Sequence, residues 1–119
     1  MGDLSEHFSR WEFACRCGCG FDDVDQELVS ALEALRLKLG KPINITSGCR
    51  CEEHNSAVGG VFNSAHTRGT AADIACQGGI NRFEMVEQAM FIFDRIGVAR
   101  TFIHVDVDEE LLSPSLWSY

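Results

Sequence analysis

Ser64-Ala65-His66-Thr67-Arg68-Gly69-Thr70-Ala71-Ala72-Asp73 holds a histidine and a carboxylate seven residues apart, with a glycine and small residues between them. The stretch reads as a loop entering a strand. Gly69 lets the chain double back, and Ala71 to Ala75 forms the strand. A second run, Thr101-Phe102-Ile103-His104-Val105-Asp106-Val107, alternates as a strand does. It sets Phe102, His104 and Asp106 on one face against Ile103, Val105 and Val107 on the other. With the two strands as near neighbours, Asp73 and His104 reach one point, and His66 joins them from the loop. Two imidazoles and one carboxylate make a three-ligand zinc site with a fourth position open for water, the layout of a catalytic zinc. Taken alone, His-x6-Asp is a common spacing. Its plainer reading is a loop histidine and a satisfied sheet histidine.

Outward from this centre, the periodic segments supply a scaffold. Ser9-Arg10-Trp11-Glu12 fits a capping box and predicts a short helix or turn with Trp11 and Phe13 inward. Asp22, Asp23 and Asp25 suit a helix N-terminus, and Leu28, Leu32, Leu35 and Leu39 recur at helical spacing over Gln26 to Leu39. Gly40 and Pro42 end that helix. Ile43 to Thr46 alternates as a half-buried strand, and Cys51 to Val58 reads as a short helix ended by Gly59-Gly60. Gln77 to Gly79 reads as a loop. Asn81 and Glu84 predict a capped helix running to about Ile96, with Phe83, Val86, Met90 and Phe93 on one face. The tail from Asp108 has no clear period, and Leu116, Trp117 and Tyr119 are expected to fold back on the body. Three helical segments and three short strands give an α+β fold, a small, mostly antiparallel sheet with helices packed against it.

The chain of 119 residues is read as one domain, 1–119, with enough apolar residues (45%) to bury a core. A net charge of −8 argues against general nucleic-acid binding, which needs a basic surface. No stretch approaches the length of a membrane span, so no membrane insertion is expected. Met1 to Arg10 lacks the basic and apolar regions of a secretory signal, so the chain is expected to start in the cytoplasm. Action outside the membrane then requires release. A monomer is the expectation.

Ser64-x-His66-x-x-Gly69-x-Ala71-x-Asp73 is preceded by Ser47-Gly48-Cys49-Arg50 and Glu53-His54-Asn55 and followed by His104-Val105-Asp106. Together these resemble the M15 family of zinc peptidases, D-Ala-D-Ala carboxypeptidases and phage endolysins that cleave peptidoglycan. The nearest likeness is to the branch with a His-Val-Asp strand. It runs from about Asp22 to Val107. The resemblance implies a hedgehog/D-Ala-D-Ala-peptidase-like fold, with His66, Asp73 and His104 as zinc ligands. It implies that Arg50 holds a substrate carboxylate or backbone oxygen, a role suited to a planar guanidinium that stays charged. For Arg50 the alternative is a surface salt bridge. Ser64 either binds substrate or caps the loop.

One departure matters. Many members place an Asp or Glu three residues before the last zinc histidine as general base, and here that position is Thr101. Some place a histidine two before it, and here that position is Phe102. Asp106 is the replacement candidate as base or orienter of the zinc water. Its competing roles are a ligand or a partner that orients a ligand imidazole. Glu52 and Glu53, near Arg50, are further candidates. The expected function is a zinc-dependent peptidase acting on peptidoglycan stem peptides or cross-links. The alternative is a catalytically weak or inactive module that keeps zinc and binds wall peptides or a phage structural partner.

Six cysteines stand at positions 15, 17, 19, 49, 51 and 76. Without a signal peptide, reduced thiols are the default. Cys15, Cys17 and Cys19 with Cys49 and Cys51 allow a second, structural zinc, although Cys-x-Cys is tighter than the usual spacing. A disulfide from the arm to the Arg50 loop is the other option, and Cys76 is placed in the core. A cysteine nucleophile beside His66 or His104 would explain neither Asp73 nor the glycines. His54 is a support for the Arg50 loop, and His7 has no assigned role.

Overall fold

The computed structural model describes residues 2–76 and 78–119, with residues 78–80 described by backbone alone. Its longest element is the helix α1, Gln26–Leu39. The Asp25 carboxylate accepts from the Glu27 N–H at 2.8 Å and caps it, and Gly40, in the left-handed region at φ 68°, closes it. Leu28, Val29, Leu32 and Leu35 are fully buried. Each such side chain contributes about 2 kcal/mol by leaving water.

The helix covers a five-stranded sheet: β1 (Ile45–Ser47), β2 (Ala71–Ala75), β3 (Arg95–Val98), β4 (Phe102–Asp106) and β5 (Ser115–Ser118). The strand order is β1-β2-β4-β3-β5. Three of the four pairings are antiparallel, and β3 with β5 is parallel. The α+β class and the mostly antiparallel sheet agree with the sequence reading. Two shorter helices complete the fold, α2 (Glu52–Ala57) and α3 (Gly78–Ala89).

The period of two divides the sheet's work. Ile74, Ile103 and Val105 join the leucines of α1 and Met85 and Ala89 of α3 in one core. Asp73, His104 and Asp106 stand on the other face, where the loop from Gly48 to Thr70 and the Trp117 ring of β5 cover them. Gly97, on β3 opposite Trp117, makes that cover possible. A Cβ there would lie 2.5 Å from the indole nitrogen.

Several expectations are corrected. Trp11 is 73% exposed and only Phe13 turns inward, because the segment is a single 3-10 turn, Arg10–Phe13, with room for one inward ring. Helix α3 starts at Gly78, so Asn81 lies inside it and not at its cap. Gly78 and Gly79 are thus helical, while Gln77, the first residue of the expected loop, lies outside the described residues. The helix stops at Ala89, and Arg95 to Val98 pairs with β4 as a strand. The inward face of α3 carries Met85 and Ala89, and Phe83 and Met90 are exposed. The first strand is shifted to Ile45–Ser47, and the C-terminal tail does fold back, as β5.

Candidate metal centre

The antiparallel register sets Asp73 directly opposite His104. His66 arrives on a 3-10 turn, Ala65–Arg68. Ser64 begins that turn, its hydroxyl accepting from the His66 N–H at 3.2 Å, and Gly69, at φ 72°, ends it. A side chain at Gly69 would also meet the Asp23 carbonyl at 2.3 Å, so the glycine is required twice over. A clamp holds the turn to the end of β4. Arg68 reaches the Asp108 carboxylate at 2.7 and 3.1 Å, and the Thr70 hydroxyl donates to it at 2.7 Å. Burial works against the charge on Asp108, but the hydrogen bonds from Arg68 and Thr70 win and hold its pKa at about 2.

The three side chains converge. His66 Nε2 and His104 Nδ1 each lie 3.2 Å from Asp73 Oδ1. Zinc–nitrogen and zinc–oxygen bonds of about 2.0–2.1 Å place tetrahedral ligands about 3.3 Å apart, so the observed spacing suits a metal. His66, Asp73 and His104 are all buried, and together they could hold an ion.

The outer ring nitrogens fix which atoms face inward. His66 Nδ1 lies 2.7 Å from the Gly48 carbonyl, and His104 Nε2 lies 2.7 Å from Asp106 Oδ2. A carbonyl can only accept, so Nδ1 of His66 carries the proton. With a single ring proton placed there, Nε2 carries a lone pair turned toward the Asp73 carboxylate. Two acceptors at 3.2 Å repel unless a cation or a second proton lies between them. The donor set therefore fits zinc on its own chemistry. Without metal, burial works against the Asp73 charge, but hydrogen bonds from His104 and His66 hold its pKa far below the usual carboxylate range. Burial likewise opposes a charge on His104, and the Asp106 and Asp73 carboxylates outweigh it and push its pKa up.

Arg50 comes from the loop before α2. Its guanidinium donates to Asp73 Oδ2 at 3.1 Å, to the Asn55 side-chain oxygen at 3.1 Å and to the Ser47 hydroxyl at 3.0 Å. It is thus joined to the cluster and part-buried in its wall, not a surface salt bridge. Asp106 has both oxygens occupied. Arg95 Nε donates to them at 2.9 and 3.1 Å, and the Asp108 N–H to Oδ1 at 3.1 Å. It lies on the far side of the His104 ring from Asp73. Thr101 is exposed just before β4, and Glu52 and Glu53 are exposed on the first turn of α2. His54 donates its backbone N–H to Cys51 Sγ at 3.3 Å, and His7 pairs with Glu33 at 2.8 Å, away from the centre.

A cleft of about 540 Å³ opens over the cluster. Arg50, Ser64 and Arg95 give it polar walls, and Val61, Phe102, Trp117 and Tyr119 give it apolar ones. The Trp117 ring lies 5.3 Å from His104 and 4.9 Å from the Arg95 guanidinium. Arg95, Trp117 and the Gly48 carbonyl are participants that sequence reasoning missed. Leu116, Trp117 and Tyr119, expected to fold back on the body, are the one signal that bore on Trp117, and no period marked the strand.

The model of the Peptidase M15 family matches residues 6–106, most of the chain. The chain belongs to that family, one of zinc metallopeptidases, and the His66-Asp73-His104 cluster is where it could hold the metal. No curated protein matches the sequence.

Proposed function

We propose that this chain is a zinc peptidase that cleaves peptidoglycan stem peptides or cross-links, with His66, Asp73 and His104 as ligands. The observation that carries the reading is the cluster itself. Three buried donors converge on the floor of a cleft, the two ring nitrogens each 3.2 Å from Asp73 Oδ1, with both imidazoles locked from behind. A zinc ion bound there supplies Lewis-acid polarisation of a carbonyl and a water of lowered pKa. The protein's residues do the rest. Asp106, backed by Arg95, keeps Nε2 of His104 protonated and so keeps Nδ1 free to ligate. We favour this orienting role for Asp106 over that of base. Arg50, fixed by Ser47 and Asn55, turns part of its guanidinium to the cleft and orients a substrate carboxylate or carbonyl. Tyr119, whose phenol burial pushes up, stays protonated and is a hydrogen-bond donor at the cleft wall. The small size of the cleft and its apolar wall at Val61 and Phe102 suit short peptides with methyl side chains, such as those rich in D-alanine. Action on the wall follows release of the protein, as in phage lysis.

A second reading has its own observation. Among the described residues lining the cleft, the carboxylates are Asp73 and Asp106, and both are engaged. With threonine at 101, this favours a zinc-holding module that binds wall peptides and turns over slowly or not at all. Incubating the zinc-loaded protein with defined muropeptides and identifying products by mass spectrometry separates the two. New amine or free D-alanine, lost with a chelator and restored by zinc, is expected. Intact muropeptides recovered beside stoichiometric zinc would leave only the binding module.

A further inference from the structure

A second group of donors lies on the N-terminal arm, outside the cleft. We propose that Cys15, Cys17, Cys19 and Cys51 form a structural zinc site that pins this arm to the loop carrying Arg50. All four sulfurs lie within 4.8 Å of one another. Cys15 to Cys17 is 3.4 Å, Cys17 to Cys51 is 3.7 Å and Cys15 to Cys51 is 3.9 Å. Zinc–sulfur bonds of about 2.3 Å give a tetrahedron with edges of about 3.8 Å, which is the size of this cluster.

Apolar burial does not gather these thiols, because Cys17 and Cys19 are exposed. The backbone does. Gly18 and Gly20 take φ values of 83° and 94°, and nothing lies within 4 Å of a Cβ at either position. The glycines are there for conformation and not for space. They curl Cys15-Arg16-Cys17-Gly18-Cys19-Gly20 so that alternate side chains face one point. Such a curl explains how Cys-x-Cys spacing, too tight for an ordinary knuckle, brings three sulfurs together. Cys51 supplies the fourth from the N-cap of α2. Backbone N–H groups of Cys51 and His54 point at Cys15 Sγ (3.4 Å) and Cys51 Sγ (3.3 Å), as suits sulfurs that carry negative charge. Cys49, two residues before Cys51, faces the core and takes no part.

Four thiolates fill a tetrahedron and leave no position for water or substrate, so the site is structural. Its position gives it a task. The arm is already bonded to the loop through Cys49 N–H to the Phe13 carbonyl at 2.8 Å, and Arg50 N–H bonds the His66 carbonyl at 3.0 Å. Cys51 directly follows Arg50. Fixing Cys51 therefore fixes the residue that reaches Asp73.

Metal analysis of the full chain loaded with zinc chloride tests this, together with absorption of the cobalt(II)-substituted protein. Two zinc ions per chain are expected, falling to one in Cys17→Ser/Cys19→Ser and to one in His66→Ala. Cobalt protein is expected to show intense thiolate-to-metal charge transfer, kept in His66→Ala and lost in the double cysteine variant. Absence of that charge transfer from the unsubstituted protein, a reading that needs no variant to fold, would overturn the proposal. So would a Cys15–Cys51 or Cys17–Cys51 disulfide in non-reduced peptide maps of protein prepared under reducing conditions. Loss of zinc on cysteine replacement with none lost in His66→Ala would instead count against the histidine site and leave this one standing.

Discussion

The two clusters differ in every property that separates working metal sites from holding ones. The His66-Asp73-His104 donors are nitrogen and oxygen, stand on buried strand and turn backbone, and face an open cleft. The four cysteines offer sulfur and enclose their own centre, three from a glycine-curled arm and the fourth, Cys51, from the N-cap of α2. The first has its ring nitrogens braced from behind by Gly48 and Asp106. The second is built from local turns and a single distant partner, Cys51. The contrast shows how a small chain divides labour. Rigid sheet register is kept for the site that must leave a coordination position vacant, and a closed thiolate set suffices for the one that only ties segments together.

The largest expected effect breaks the contrast at its first member. His66→Ala removes one of three donors and is expected to lower kcat/KM on a muropeptide by at least about 10³-fold, more than the loss of one oxyanion donor. Its far-ultraviolet circular dichroism should match that of the parent. Next comes the clamp that frames the histidine turn and has no counterpart at the cysteines. Asp108→Asn removes the charged acceptor of Arg68, which keeps Asn63 and Glu110 as partners, and is expected to cost about 2 kcal/mol in urea unfolding. The sign of its pH dependence follows from a folded pKa of about 2 against an ordinary value of 3.8. That stabilisation is complete above about pH 4 and is lost as pH falls toward 2. The Asn variant should therefore show a shallower loss of stability over that interval.

How far the sequence reveals this arrangement depends on the range of the forces involved. Helix α1 is legible because its caps and leucine spacing are local. Asp73 and His104 are legible as partners because strand alternation assigns their face, although neither residue states which strands pair. Strands β3 and β5 are not legible. Each is four residues long, and Arg95-Ile96-Gly97-Val98 becomes a strand by pairing with β4 on one side and β5 on the other. Arg95 was hidden for the same reason, and the Gly48 carbonyl because any residue's backbone can supply it. The cysteines were legible as a group, but their convergence depends on two glycine dihedral angles that composition does not disclose.

Two smaller effects sharpen the comparison. Asp106→Asn keeps an acceptor for His104 but loses the charge that Arg95 balances. Zinc affinity at the histidine site is expected to fall about 10–100-fold by chelator competition, with the thiolate zinc unchanged. Arg50→Lys keeps a cation but loses the planar fork. KM is expected to rise about tenfold, the loss of one charge-assisted hydrogen bond, with zinc content unaltered.

Zinc-edge X-ray absorption of the zinc-loaded protein tests the account most directly, because it reports the donor atoms themselves. A mixed shell is predicted, sulfur at about 2.3 Å together with nitrogen and oxygen at about 2.0–2.1 Å, reduced to sulfur alone in His66→Ala. A nitrogen and oxygen contribution that survives in His66→Ala unchanged, or a parent spectrum with sulfur only, would contradict a metal centre at His66, Asp73 and His104.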